Sequence, residues 1–80
     1  MTTPKTPLSE LGSGARARLV EIGGERSFRR RLMELGFLPG TLVRVVRRVG
    51  VGDLVELEVR GCHVSVRMGE AAQLLTEPAG

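Results

Sequence analysis

The stretch LVELEVRGCHVSVR, from Leu54 to Arg67, carries the pattern that decides the fold. Apolar and polar residues alternate through LVELEV and again through CHVSVR, and Arg60-Gly61 separates the two arms. Alternation with a period of two is typical of strands that bury one face, and a two-residue linker containing glycine is typical of a tight hairpin. The stretch therefore predicts two antiparallel strands with Gly61 in the turn.

One hairpin register keeps both arms in phase. Its apolar face consists of the facing pairs Val59–Cys62, Leu57–Val64 and Val55–Val66. Its polar face consists of the pairs Glu58–His63, Glu56–Ser65 and Leu54–Arg67. A slip of one residue would turn the apolar set toward solvent, so this register is strongly specified. We expect Cys62 to lie in the core beside Val59, because an unpaired cysteine packs as a small apolar side chain.

A short helix is predicted upstream of the hairpin. Phe28, Leu32 and Leu35 recur at i, i+4 and i+7, which gives one apolar stripe on a helix. Ser27 is the expected N-cap, and Gly36 stands where a left-handed residue ends a helix.

A turn and a strand follow the helix. Proline at 39 presets φ for the second position of a type II turn, and Gly40 tolerates the positive φ of the third, so Pro39-Gly40 predicts that turn. Residues Leu42 to Val49 then predict a strand, with Val43 and Val45 facing inward.

The remaining segments complete a small β-rich domain. Ala15 to Ile22 predicts a first strand, Leu8 and Leu11 suit a single helical turn, and 69–75 suits a short turn or helix before a last strand near Leu74. Residues 1–7 and 78–80 are expected to be tails, the first of them disordered, around one domain at 8–77. The predicted fold is mostly β: a small, partly open SH3-like barrel of four or five strands, with one short α-helix after the first strand.

Composition limits the function classes. The chain has 80 residues, so it buries only about 60% of its unfolded surface and forms one small core. No apolar run approaches the ~20 residues that span a bilayer, and the start has no apolar region of the kind found in signal peptides. A single cysteine excludes an internal disulfide and fits a reducing, cytoplasmic location.

Catalytic and metal-binding patterns are weak. The sequence has no P-loop, and Gly50-Val51-Gly52 lacks the third glycine and the following helix of a dinucleotide fingerprint. Cys62 and His63 are adjacent on a strand and so point to opposite faces. Glu58 and His63 face each other and are weak candidates for a divalent ion, but a structural site needs three or four ligands. We expect no catalytic site and no resident cofactor.

Nucleic-acid binding is not favoured. The net charge is only +3, the arginines are spread over several elements, and the chain has no tyrosine or tryptophan to stack on bases. The same lack of aromatic residues argues against the proline-rich ligands of many SH3 domains.

Two strings resemble a known family. RRRLMELGFLPGTLVRVVRR (29–48) and GDLVELEVRGCHVSVR (52–67) are similar to the FeoA family, whose pattern includes the pairs Arg31-Leu32, Leu35-Gly36 and Pro39-Gly40. The resemblance spans about Leu8 to Leu75. It implies an SH3-like fold and a cytosolic accessory role, without GTP hydrolysis, on the FeoB ferrous-iron transporter. Transient contact with Fe(II) would fit that role.

The resemblance implies that the chain binds the transporter and supports its assembly or gating, in the cytoplasm at the inner membrane. We predict a docking rim of Arg47, Arg48, Val51 and Leu54, because exposed apolar residues inside a polar rim often mark interfaces. The two arginines also suit the anionic cytoplasmic leaflet. Capping of the barrel end by Val51 and Leu54 is the alternative for these residues. For the whole chain, the alternatives are a nucleic-acid-binding SH3-like domain and a metal-responsive sensor module.

Overall fold

The computed structural model describes residues 5–50 and 53–79, and over these residues its main element is a six-stranded antiparallel sheet. The strands are β1 (Thr6–Pro7), β2 (Arg16–Ile22), β3 (Leu42–Val49), β4 (Leu54–Val59), β5 (Cys62–Arg67) and β6 (Leu74–Pro78). The helical segments are a 3₁₀ turn (Leu8–Glu10), α1 (Arg26–Glu34) and α2 (Met68–Ala71). In the sheet the order is β1-β6-β2-β3-β4-β5. The prediction of a mostly β, SH3-like domain with a short inserted helix is confirmed, with more strands than expected and the helix after the second strand.

The hairpin of β4 and β5 has the predicted register at all positions. Val59 pairs with Cys62 next to the turn, and Leu54 pairs with Arg67 at the far end. Arg60 and Gly61 have φ values of 53° and 83°. Positive φ at both central positions defines a type I′ turn, whose twist matches that of the flanking strands.

Cys62 contradicts its prediction, because its side chain is exposed. β5 is the outermost strand of the sheet, and Cys62 lies at its turn end. Burial then increases along the strand, from the half-buried Val64 to the buried Val66, and α2 begins two residues later at Met68. The alternating pattern gave the correct face for Cys62, but no other element formed by residues 5–50 and 53–79 covers that face at the tip of the hairpin.

The apolar stripe of α1 is confirmed at its centre and wrong at its end. Leu32 is buried and Phe28 is half-buried, but Leu35 is 47% exposed. Gly36 ends the helix with φ +102°, as predicted, so Leu35 is already the last residue before the chain turns. Phe37, immediately after that turn, is fully buried and fills the position over the core.

The predicted N-cap of α1 is also wrong. The helix begins at Arg26 after Glu25, so Ser27 lies inside the first turn. The carbonyl of Glu25 accepts the first helical hydrogen bond, from the N–H of Arg29 at 3.0 Å. The helix starts without a side-chain cap, and its position depends on packing more than on local capping.

The Pro39-Gly40 turn and the strand after it follow the prediction. Gly40 has φ +92°, and the N–H of Thr41 donates to the carbonyl of Leu38 at 2.9 Å, which closes a type II turn. β3 has the predicted bounds, and both of its expected inward residues, Val43 and Val45, are buried.

The predicted tails are wrong where they border the domain. Thr6 and Pro7 form β1 against β6, and Pro78 is the last residue of β6. The buried hydroxyl of Thr76 donates to the carbonyl of Thr6 at 2.7 Å, and β1 thereby satisfies a polar group that β6 would otherwise bury alone. Residues 1–4 and Gly80 lie outside the described residues.

Candidate partner-binding surface

The structure separates the residues of the predicted docking rim. The guanidinium of Arg48 donates to the backbone carbonyls of Ser9 and Leu11, so this side chain holds β3 to the segment that includes the 3₁₀ turn. Nε of Arg47 donates to Oε1 of Glu56 at 3.3 Å, in an exposed cross-strand pair. Each arginine is therefore engaged within the chain.

Of the two apolar residues in the predicted rim, the structure describes only Leu54. Val51 lies outside the described residues. Leu54 is half-buried at the start of β4 and lines a surface groove of about 460 Å³. The rim as a set stays a prediction, and Leu54 is the member that the fold places beside other apolar side chains.

That groove lies between α1, β5 and α2. The side chains that line it include Leu35 from the end of α1, Leu54 and Val64 from the hairpin, and Arg31, Arg67 and Glu70. Among the described residues Leu35 is the most exposed large apolar side chain, and its exposure follows from the early end of α1 at Gly36. The end of α1 at Gly36 was predicted from the sequence. The apolar side of the groove that Leu35 forms as a result was not.

Charged groups close one side of the groove. Arg31 forms an ion pair with Glu70, and its guanidinium lies 5.7 Å from the ring centroid of Phe28. The backbone N–H of Arg67 donates to Oε1 of Glu70 at 3.0 Å, and this hydrogen bond is the main cause that lowers the pKa of the Glu70 carboxyl. Glu70 is thereby held ionised between two helical segments, and the guanidinium of Arg67 adds positive charge to the groove.

The polar face of the hairpin is a row of cross-strand ion pairs. Nε of Arg44 donates to Oε1 of Glu58 at 3.0 Å, and this contact is the main cause that lowers the pKa of Glu58. His63 lies between two carboxylates, with Nδ1 3.4 Å from Glu56 and Nε2 3.4 Å from Glu58.

The weak metal candidates, Glu58 and His63, belong to this row. Arg44 and Arg47 already pair with the two carboxylates beside the imidazole. Within 5–50 and 53–79, no group of three or more histidine, cysteine, aspartate or glutamate side chains is placed to hold a metal ion. The face is arranged as an ion-pair ladder.

Three further exposed apolar residues were not singled out from the sequence. Met33, Leu38 and Leu42 are each 42% exposed. Met33 lies off the helical stripe, among Arg26, Arg29 and Arg30 in a shallow depression. Its position off the stripe was the available signal that it faces solvent.

Comparison with known proteins places the chain in a family. The model of the FeoA domain matches residues 6–78. This chain belongs to the FeoA domain family. The resemblance seen in the two sequence strings is confirmed, and the FeoA match begins at the residues of β1 that sequence reasoning had assigned to a tail.

Two relatives of this FeoA chain and one structure with the same fold illustrate the range of similarity. A Porphyromonas gingivalis protein named as a fusion of Fe(2+) transport protein A and the Fe(2+) transporter FeoB is 36% identical over 70 residues, covering 88% of this chain and 8% of that protein. The solution structure of a FeoA protein from Chlorobium tepidum is 33% identical with TM-score 0.88, covering 94% of this chain and 71% of that one. A manganese-dependent transcriptional repressor is 15% identical with TM-score 0.88, covering 98% of this chain and 44% of that one, and shows a shared fold alone.

The matched length and the lengths of the helices can be stated for this FeoA chain. It spans a small fraction of the fusion protein that it matches. None of the helices in the described part of the chain has the length and apolar character needed to cross a membrane.

Proposed function

We propose that this protein is a non-enzymatic accessory protein of bacterial ferrous-iron uptake. It binds the cytosolic side of a FeoB-type transporter and supports the assembly or gating of that transporter. In this proposal it acts in the cytoplasm and lies at the inner membrane when it is bound to its partner.

The fused relative is the observation that carries the proposal. Its name joins a transport protein A segment and a FeoB transporter in one polypeptide, and the part that matches this chain is 36% identical. Fusion holds two modules at a high effective concentration, which favours contact between modules that act together. Association of the same two modules through a stable contact needs a binding surface on this domain.

The groove between α1 and β5 supplies a surface with suitable chemistry. Leu35, Leu54 and Val64 line it with apolar groups, and Arg31 and Arg67 add polar contacts at its side. An apolar centre with a polar border is the usual anatomy of a protein interface. Leu54 belongs both to the predicted docking rim and to the lining of this groove.

The test is co-purification with the FeoB-type transporter of the same organism, extracted from membranes in mild detergent. Tagged wild-type protein is expected to retain the transporter. Leu54→Asp is expected to retain much less, because the carboxylate needs water at a position that the partner would cover. Its fold is expected to persist, since Leu54 is only half-buried at the end of a strand.

Leu42→Asp is the matched control. Leu42 is an exposed leucine at the start of β3, and it lines a different depression with Arg16 and Arg44. Equal transporter recovery by Leu54→Asp and wild type would remove the groove from the proposal. Failure of wild type itself to recover any transporter would remove the proposed function.

A further inference from the structure

The two edge strands of the sheet, β1 and β5, differ in how well they are protected against pairing with another chain. β1 ends one side with two residues, one of which is Pro7. β5 ends the other side with six residues, contains neither proline nor glycine, and pairs with β4 without a bulge. Short strands, proline and bulges are the usual protections against pairing with another chain. β1 has two of these protections, and β5 has none.

The backbone of β5 has groups available for such pairing. In an antiparallel ladder, alternate residues direct both the N–H and the C=O toward the partner strand. Since a type I′ turn places Val59 and Cys62 in a hydrogen-bonded pair, His63, Ser65 and Arg67 direct these groups away from β4. The N–H of Arg67 is taken by Glu70. In the described part of the chain, no backbone partner outside the sheet reaches His63 or Ser65.

The groove follows this same edge. Its lining includes Ser65 and Arg67 from the polar face of the hairpin and Val64 and Val66 from the apolar face. Because residues from both faces of the hairpin line the groove, the groove lies along the free side of β5. A further strand that joined the sheet would occupy this position. Leu35 stands across it on the apolar side.

Charge indicates the chemistry of the occupant. The six residues of β5 are CHVSVR, which include Arg67 and no acidic residue. A second copy of β5 would bring a second Arg67 and no acidic residue on the strand itself, and the carboxylates of Glu56, Glu58 and Glu70 already pair with Arg47, Arg44 and Arg31. An acidic segment of another protein fits this edge better than self-association does.

We propose that β5 binds an extended segment of the FeoB-type transporter, which adds to the sheet as a further antiparallel or parallel strand. The segment has apolar side chains at alternate positions, directed toward Leu35 and Val64, and at least one carboxylate near Arg67. Backbone hydrogen bonds to His63 and Ser65 hold it, as in other cases of strand addition. This inference rests on the proposed function, since it names the partner surface of the same interaction.

Ser65→Pro tests the proposal, with Ser65→Ala as the matched control. Proline removes the outward N–H of Ser65 and places its ring in the path of an added strand, but it leaves the hydrogen bonds of β5 to β4 in place. Alanine removes the same hydroxyl and keeps the N–H. Binding to the detergent-solubilised transporter is measured by titration, after circular dichroism and thermal melting of each variant.

The proposal expects Ser65→Pro to weaken transporter binding by at least about tenfold, and Ser65→Ala to bind as wild type does. Equal binding by wild type and a folded Ser65→Pro variant would overturn strand addition and leave the proposed function standing. Absence of wild-type binding would overturn both. A dimer of the isolated chain that Ser65→Pro dissolves would assign the edge to a second copy and overturn the choice of partner.

Amide hydrogen exchange of the wild-type protein gives a test that does not depend on a variant. On addition of the transporter, the amides of His63 and Ser65 are expected to gain protection. The amides of Val64 and Val66, which pair with β4, serve as the internal reference. Unchanged exchange at His63 and Ser65 in the saturated complex would overturn the proposal.

Discussion

The guanidinium of Arg48 on β3 donates to the backbone carbonyl of Leu11 at 2.7 Å, across 37 positions of sequence. A second bond from the same nitrogen reaches the carbonyl of Ser9. Arg48 thus satisfies two carbonyls at the end of the 3₁₀ turn and fixes the entry segment of the domain onto the sheet. The sequence had suggested a membrane- or partner-facing role for this side chain, whereas its contacts are internal.

Arg48→Ala is expected to lower the free energy of unfolding by about 1 kcal/mol, because two charge-assisted hydrogen bonds are lost and water replaces them at an exposed site. Arg47→Ala is the control, since its exposed pair with Glu56 contributes between about 0 and 1 kcal/mol. Urea denaturation of both variants measures the difference. A larger loss for Arg47→Ala than for Arg48→Ala would contradict the assigned role.

Neighbouring substitutions in the hairpin turn are expected to act in opposite directions. Arg60 has φ 53° and Gly61 has φ 83°. Arg60→Asn should stabilise the protein by up to about 1 kcal/mol, because asparagine tolerates left-handed φ and favours a type I′ turn. Gly61→Ala should destabilise it by about 1 kcal/mol or more. Thermal melts of the two variants against wild type provide the check, and a shift of the same sign in both would refute the turn assignment.

The exposed thiol of Cys62 is expected to react in the folded state. A chromogenic disulfide reagent should modify one equivalent of thiol at a similar rate with and without denaturant. Cys62→Ser should change the free energy of unfolding by less than about 0.5 kcal/mol, as is usual for surface substitutions. Slow labelling that requires unfolding, together with a clear loss of stability in Cys62→Ser, would instead support the buried position expected from sequence.

Glu70 should contribute a pH-dependent part of stability. Its pKa in the folded protein is lowered, first by the N–H of Arg67 and then by Arg31, so the folded state binds fewer protons than the unfolded state. The contribution is therefore present above the ordinary glutamate pKa of about 4.3 and is lost as pH falls through the folded pKa.

Glu70→Gln keeps an oxygen that accepts from Arg67 and removes the charge. The melting temperature of wild type should exceed that of Glu70→Gln at neutral pH, and the difference should shrink as the solution is acidified. A difference that stays constant with pH would show that the carboxylate charge has no part in it.

Local patterns predicted much of this fold for reasons that the structure makes explicit. The period of two in β4 and β5 fixed the register because a slip would expose Val55 and Leu57. Gly36 and Gly40 marked turns because each adopts a positive φ. These features depend on residues close together in sequence, where pattern and backbone chemistry decide the outcome.

The N-cap of α1 and the end of its apolar stripe were local errors, whereas the other errors concern contacts between distant segments. The exposure of Cys62 depends on β5 being the last strand of the sheet, and the order of strands is not written in any local pattern. β1 pairs with β6, which lies far along the chain, and there accepts a hydrogen bond from the buried hydroxyl of Thr76. The groove beside Leu35 likewise requires α1 and the hairpin to be adjacent, so its residues could not be grouped from sequence alone.

Binding of the purified chain to the FeoB-type transporter of its own organism, reconstituted in lipid nanodiscs, is the most direct measurement of the central claim. We expect saturable binding that is competed by untagged chain, and binding that Leu54→Asp weakens but Leu42→Asp does not. Empty nanodiscs of the same lipid composition should bind far less. Absence of saturable binding to the transporter, or equal binding to empty nanodiscs, would contradict the proposed accessory role.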